Sequence, residues 1–240
     1  MDENRSYRGL RVSGIFGKKP IIGLAMFVIG SLIFIILAYN LVKQGPLIQW
    51  DLPLAEWFHA FALNSSPLMT DIMIAGYYFG YGIWIAAILF TLYFFYKRYW
   101  RELVIGIVSL GGSGLIFLIL SNIFKRPRPS SLFDELIWSG SLTIPGFPSG
   151  HAKSILILCG FLVYLLMPKI KSSLGKVLAV LFALVVVVYV GFSRLYVGDH
   201  YLTDIIAGYA VGIAWFGLVF TSIEWLFQRH ALRKERESLF

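Results

Sequence analysis

The chain alternates long apolar runs with short polar ones. Residues 21–42 and 72–96 are uncharged, and residues 103–124, 149–167, 174–192 and 202–227 are apolar with few charges. A helix of about 20 apolar residues crosses a bilayer, so the pattern predicts six transmembrane helices. Between the first two, Leu47, Trp50, Leu54, Trp57, Phe58 and Phe61 recur at helical spacing, with Asp51 and Glu56 among them. That segment reads either as a helix lying in the membrane interface or as an ordinary packed connector. Residues 125–150 are polar and carry closely spaced prolines, which predicts a non-helical loop. The expected fold is an all-α integral membrane bundle of six helices, with either an interfacial helix or a packed connector between spans one and two.

Composition points the same way. The chain is 58% hydrophobic and 14% charged, where soluble domains are about 25% charged. Residues 21–227 form one membrane domain, between an N-terminal segment of residues 1–20 and a basic tail of residues 228–240. The first apolar run is too long for a cleaved signal and reads as a retained span. The single Cys159 lies in an apolar run, so there is no disulfide framework. The net charge of +8 would suggest nucleic acid if it formed one patch. Instead the basic residues sit at the ends of apolar runs.

Their distribution sets an orientation. Five lysines and arginines precede residue 20, three lie in residues 97–101, three in residues 169–176 and four in the tail, fifteen of the 21. Basic residues favour the cytoplasmic side, so both termini are expected there in a multi-pass cell-membrane protein. Six are left for the outer side: Lys43, Lys125, Arg126, Arg128, Lys153 and Arg194. The last five lie in or beside three polar clusters, which implies a use other than topology.

Those clusters all fall at the outer ends of spans. The first is KRPRP, residues 125–129. The second is PSGH, residues 148–151. The third is SRLYVGDHYLTD, residues 193–204. His200 and Asp204 are four apart, so on a helix they share a face, where a carboxylate holds an imidazole in one tautomer and raises its basicity. Arg194 can grip an oxyanion with two parallel hydrogen bonds. Ser149 can cap the fourth span, whose free N–H groups face an anion, and Gly150 permits close approach. Singly, each cluster also reads as a turn, a stiff basic loop or an interfacial loop with a snorkelling arginine. Together on one face they suit phosphate.

In these motifs the sequence resembles the type 2 phosphatidic acid phosphatase superfamily, whose pattern is K-x6-R-P, then P-S-G-H, then S-R-x5-H-x3-D. The second element matches at Pro148, Ser149, Gly150 and His151, and the third at Ser193, Arg194, His200 and Asp204. The first matches at Arg128 and Pro129, but Ser121 stands at the lysine position. The likeness covers residues 70–227 and is strongest to the bacterial phosphatidylglycerophosphatase B type, including undecaprenyl diphosphate phosphatases. It implies that His200 is the nucleophile, Asp204 orients it, and His151 serves as acid and then base. Arg128, Arg194, Ser149 and Gly150 would hold the phosphoryl oxygens, with arginines in place of a metal and no cofactor. The implied reaction is hydrolysis of phosphatidylglycerophosphate, undecaprenyl diphosphate or related lipid phosphates at the extracytoplasmic face, in phospholipid metabolism or lipid-carrier recycling. The expected partners are the lipid phosphate and the bilayer, with no nucleic acid and no obligate protein partner.

Ser121 leaves two readings. Lys125 lies four residues on and supplies the missing charge if span three stays helical that far. Otherwise the protein is catalytically weakened and binds or moves lipid phosphates. The proline after Arg126 tends to end the helix near Lys125, which favours the second. A transporter should show two similar halves, and the sequence has no such repeat. The soluble vanadium haloperoxidases share the motifs but not the six spans.

Overall fold

The structure, a computed structural model, describes residues 19–138 and 144–237, apart from the side chains of residues 80, 81 and 231–237. Arg5, Arg8, Arg11 and Lys18 of the N-terminal segment lie outside the described residues. Within them the helices run α1 (Pro20–Lys43), α2 (Asp51–Leu63), α3 (Pro67–Lys97), α4 (Trp100–Gly106), α5 (Gly112–Phe124), α6 (Gly150–Leu166), α7 (Ser173–Tyr196) and α8 (Leu202–Glu237).

Local chemistry starts and stops these helices. Ser66, Ser149 and Ser172 cap α3, α6 and α7, each accepting the N–H three residues on. Pro20 and Pro67 take the first position of α1 and α3, where a missing N–H costs nothing. Gln44, Arg98 and Lys125 end α1, α3 and α5 in the left-handed region.

Five stretches are long and apolar enough to cross a membrane: Pro20–Lys43, Pro67–Lys97, Trp100–Leu132, Ser173–Tyr196 and Leu202–His230. The apolar helix Gly150–Leu166 has only 17 residues. Three details differ from the sequence pattern. The third span is split by a π-helical segment, Ile107–Gly111. The widened turn leaves carbonyls to satisfy, and Trp215 Nε1 donates to those of Val108 and Ser109 at 3.3 and 3.0 Å. The sixth helix runs on to Glu237, so most of the stretch set apart as a tail is helix. The polar loop after α5 contains a short 3-10 helix, Pro129–Leu132.

Small residues bring α1 and α8 together. Gly23 backs onto Gly217 and Thr221, and Gly30 onto Ala210 and Ala214, a seam that lets two helices approach at backbone distance. Gly208 and Gly212 play the same part between α8 and α6, against Ser149, Ala152, Lys153 and Leu156. An aromatic core of Phe94, Phe161, Tyr164, Phe216 and Phe220 fills one end of the bundle. There Arg101 holds Glu224 at 2.9 Å.

At the other end, the last turns of α5 and α7 meet the first turns of α6 and α8. The helix α2 lies across this end. It turns Asp51, Ala55, Phe58 and Ala62 inward and leaves Leu52, Trp57 and Phe61 exposed. Below it, an apolar cavity of about 460 Å³ lies between α3, α6 and α7, lined by Ile83, Ile155, Leu158 and Val186 among others.

Candidate active site

The residues 197–201 between α7 and α8 are a tight turn, with Gly198 at φ +73°, a region that favours glycine. The turn leaves His200 two residues ahead of α8 rather than on it. The pair expected from an i, i+4 helix face therefore forms as a turn and cap. Asp204 Oδ2 accepts the Tyr201 N–H at 2.9 Å and lies 3.8 Å from His200 Nδ1. His200 is buried, and neither ring nitrogen has a hydrogen-bond partner. Burial pulls its pKa below the ordinary imidazole value, aided by Arg128 and opposed by Asp204 and Asp199. The shift favours the neutral imidazole, and Nδ1 is the ring nitrogen on the Asp204 side.

Two arginines converge beside it. Arg128 NH1 lies 3.0 Å from Asp199 Oδ1, and Arg194 NH1 lies 3.0 Å from Asp199 Oδ2. Arg128 Nε donates to the Ile144 carbonyl at 2.7 Å. Arg194 NH2 donates to Ser193 Oγ at 2.6 Å, and the guanidinium lies 4.9 Å from the Tyr77 ring centroid. Buried side chains of this charge require such pairing. Asp199 thus draws both guanidinium groups to one point next to the histidine.

The start of α6 closes the site. Ser149 Oγ accepts the Ala152 N–H at 3.3 Å, and the Ser149 N–H donates to the Asp204 carbonyl at 2.9 Å. That bond fixes Gly150 and His151 beside the His200 turn. The His151 ring lies 5.5 Å from that of Tyr77, and Arg194, His200, Asp199 and Arg128 are the charged or titratable groups that face it. Gly146 leaves room for the Asp204 carboxylate, since a Cβ there would sit 3.2 Å from Oδ2.

Seven of the predicted residues are thereby brought together: His151, His200, Asp204, Arg128, Arg194, Ser149 and Gly150. The remaining two are placed otherwise. Lys125 caps α5 in the left-handed region and is exposed, off the helix face it would need to share with Ser121. Ser121 is buried, and its hydroxyl donates back to the Leu118 carbonyl at 3.2 Å. Lys153, one turn deeper in α6, is buried and donates to the Ser113 carbonyl.

Sequence reasoning missed three members of the site. Asp199 sits inside the quoted SRLYVGDHYLTD span, where its place directly before His200 was the available signal. Arg126 was read as part of a stiff basic loop. It donates to Asp204 Oδ1 at 2.6 Å and to Asp51 Oδ2 at 2.8 Å. Asp51 lies some seventy residues away in the connector, and no local pattern links it to the motifs.

Comparison with known proteins bears on this arrangement. Residues 102–228 match the model of the PAP2 superfamily. The chain belongs to the PAP2 superfamily. The matched span holds every motif residue of the site, and only the connector residue Asp51 precedes it. The chain is 32% identical over 127 residues to phosphatidylglycerophosphatase B of Bacillus subtilis (strain 168), covering 52% of this chain and 60% of the relative. It is 30% identical over 112 residues to a lipid A 1-phosphatase of Rhizobium johnstonii, covering 45% and 41%. The chain spans about two fifths to three fifths of the length of these relatives. Its fold is similar to the crystal structure of a transmembrane PAP2-type phosphatidylglycerolphosphate phosphatase from Bacillus subtilis. The TM-score is 0.65 at 25% identity, covering 82% of this chain and 94% of that one. The likeness, with the apolar helices, makes this a multi-pass membrane protein of that PAP2 fold. Among the described residues no group of three His, Cys, Asp or Glu side chains is placed to hold a metal.

Proposed function

We propose that this protein is a membrane lipid phosphate phosphatase acting through a phosphohistidine at the extracytoplasmic face. The observation that carries the reading is the buried His200, with Asp204 at Nδ1 and two arginines converging beside it. Phosphatidylglycerophosphate and undecaprenyl diphosphate are the proposed substrates. The name of the Bacillus subtilis relative supports the first. The apolar cavity below the site suits a substrate with a long hydrocarbon chain.

The chemistry follows from the placement. His200 Nε2 attacks phosphorus, and the bond from phosphorus to the leaving oxygen breaks. His151 gives that oxygen its proton. The imidazolium formed at His200 is stabilised by Asp204, as an orienting carboxylate stabilises a reacting histidine. Arg128, Arg194 and the N–H groups at the start of α6 meet the charge on the phosphoryl oxygens. His151, now neutral, takes a proton from water. The water oxygen displaces His200 Nε2 from phosphorus, which frees phosphate and restores the resting enzyme.

A second reading keeps lipid phosphate binding but weak turnover. Its support is the neutral Ser121 with Lys125 turned out to solvent. Both readings are tested by phosphate release from the two lipids in detergent micelles. Purified protein is expected to release phosphate and to form an acid-labile phosphoenzyme that His200→Ala lacks. Binding without release, at enzyme-stoichiometric concentrations, selects the second reading. A phosphoenzyme trapped on His151 overturns the assignment of roles.

A further inference from the structure

The first residue of α2 reaches into the site from outside the motifs. Asp51 is 2% exposed. Its carboxylate accepts from Arg126 NH2 at 2.8 Å, from the Thr203 N–H at 3.1 Å and from the Thr203 hydroxyl. The other amino group of Arg126 donates to Asp204 Oδ1 at 2.6 Å and to Thr203 Oγ1 at 2.9 Å. Asp204 Oδ2 lies 3.8 Å from His200 Nδ1. A buried line of alternating charge thus runs Asp51, Arg126, Asp204, His200, from the helix across the end of the bundle to the imidazole.

The signs decide what this line does. Arg126 alone would neutralise the Asp204 carboxylate and take from His200 the anion that steadies its imidazolium. Asp51 shares the Arg126 charge and leaves the trio at net negative. We infer that Asp51 is a positioning residue that keeps Asp204 an effective anion toward His200 and couples α2 to the nucleophile. The residue touches neither substrate nor His200; it works through Arg126. The inference deepens the proposed phosphatase reading and rests on it only for the kinetic part.

The other charged or titratable groups around His200 are Asp199 and Tyr201 in its own turn, Arg128 from the loop after α5, His151 from α6 and Arg194 from α7. The Arg126 guanidinium lies 4.1 Å from the Tyr201 ring centroid, so Tyr201 belongs to the same line. Asp51→Asn is nearly isosteric and removes the charge. It is expected to lower the His200 titration midpoint, because Asp204 is then fully neutralised. Arg126→Gln removes the opposite charge and is expected to raise it. Asp51→Glu keeps the charge and should stay near wild type.

The experiment is a histidine-labelled NMR titration of full-length protein in detergent, with His200 assigned from the spectrum of His200→Ala. Phosphate release from phosphatidylglycerophosphate is measured on the same samples. The expected kinetic result is a kcat for Asp51→Asn lower by about 10–100-fold, the scale on which outer partners of ligating histidines act, with KM little changed and recovery in Asp51→Glu. Opposite shifts of the His200 midpoint in Asp51→Asn and Arg126→Gln support the inference. A midpoint unmoved in both, or moved the same way in both, overturns it. Should Asp51→Asn fail to fold, the Arg126→Gln shift decides: a midpoint that rises supports the inference, and one that stays or falls refutes it. The predicted shifts without phosphate release from the wild type would leave the inference standing and remove the phosphatase reading instead.

Discussion

Ser121 stands where the motif that the sequence resembles has a lysine. A serine is neutral and several ångströms shorter than lysine, and here its hydroxyl is already engaged by its own helix. Lys125 cannot stand in, because the left-handed cap that ends α5 carries it out to solvent. A charge-assisted hydrogen bond lost from a dry site costs about 2–4 kcal/mol, or roughly 10²–10³ in rate. Ser121→Lys is therefore expected to raise kcat at least tenfold, and Lys125→Ala to change it less than twofold, in phosphate-release assays. An inert Ser121→Lys together with a dead Lys125→Ala would show that Lys125 swings in after all. The neighbourhood also shows what local sequence can reveal. His200, His151 and the two motif arginines were legible because a short motif sets their spacing. The Asp199 clasp and the Asp51–Arg126 line were not, because both are fixed by where chain ends meet in space, and spacing carries no record of that.

Among the elements, the apolar runs located the helices well and said little about how they pack. The run that became α1 and the run that became α8 are both apolar enough to cross a membrane, which says nothing of their pairing. Only the structure shows that Gly23 and Gly30 of one face Gly217 and Ala210 of the other. Nor did the third run betray its π-helical segment, whose opened carbonyls accept the indole N–H of the far-off Trp215. The sequence of α2 fits both an interfacial helix and a packed connector, and its two faces explain why. Exposed Trp57 and Phe61 suit the first reading, while buried Phe58 and Asp51 suit the second. The α1–α8 seam yields a comparative prediction. A Cβ on Gly30 would stand 2.5 Å from the Ala210 carbonyl oxygen and 2.7 Å from the Ala214 nitrogen, whereas one on Gly82 meets nothing within 4 Å. Backbone cannot give way as a side chain does. Gly30→Leu is expected to lower the melting temperature in detergent by about 5 °C or more, and Gly82→Leu to leave it within a degree or two. Equal effects would mean that the seam contributes little.

For the whole molecule, charge is the topological signal. Among the described residues Lys19, Lys97, Arg98, Arg101, Lys169, Lys171, Lys176 and Arg229 lie at helix ends away from the site. In the structure Arg126, Arg128 and Arg194 pair with Asp51, Asp204 and Asp199. The site is proposed to face away from the cytoplasm. Leu132 is well exposed in the 3-10 helix beside the site, and Cys159 is buried. A Leu132→Cys variant is therefore expected to react with a membrane-impermeant thiol reagent on intact cells, with the parent chain as background. Labelling that appears only after lysis would invert the orientation.

The brevity of α6 bears on how the bilayer can reach the site. Seventeen residues rise about 26 Å at roughly 1.5 Å each, short of a hydrocarbon layer about 30 Å thick. Along α6 only Leu166 is exposed, so the helix is wrapped by its neighbours rather than by lipid. Hydrophobic mismatch acts on helices that touch lipid, and the length of α6 therefore makes no demand on the membrane. The helices that face outward most are α1, α3 and α7. A change in bilayer thickness should act on the site through the tilt of those three, with the helix that carries His151 shielded among its neighbours.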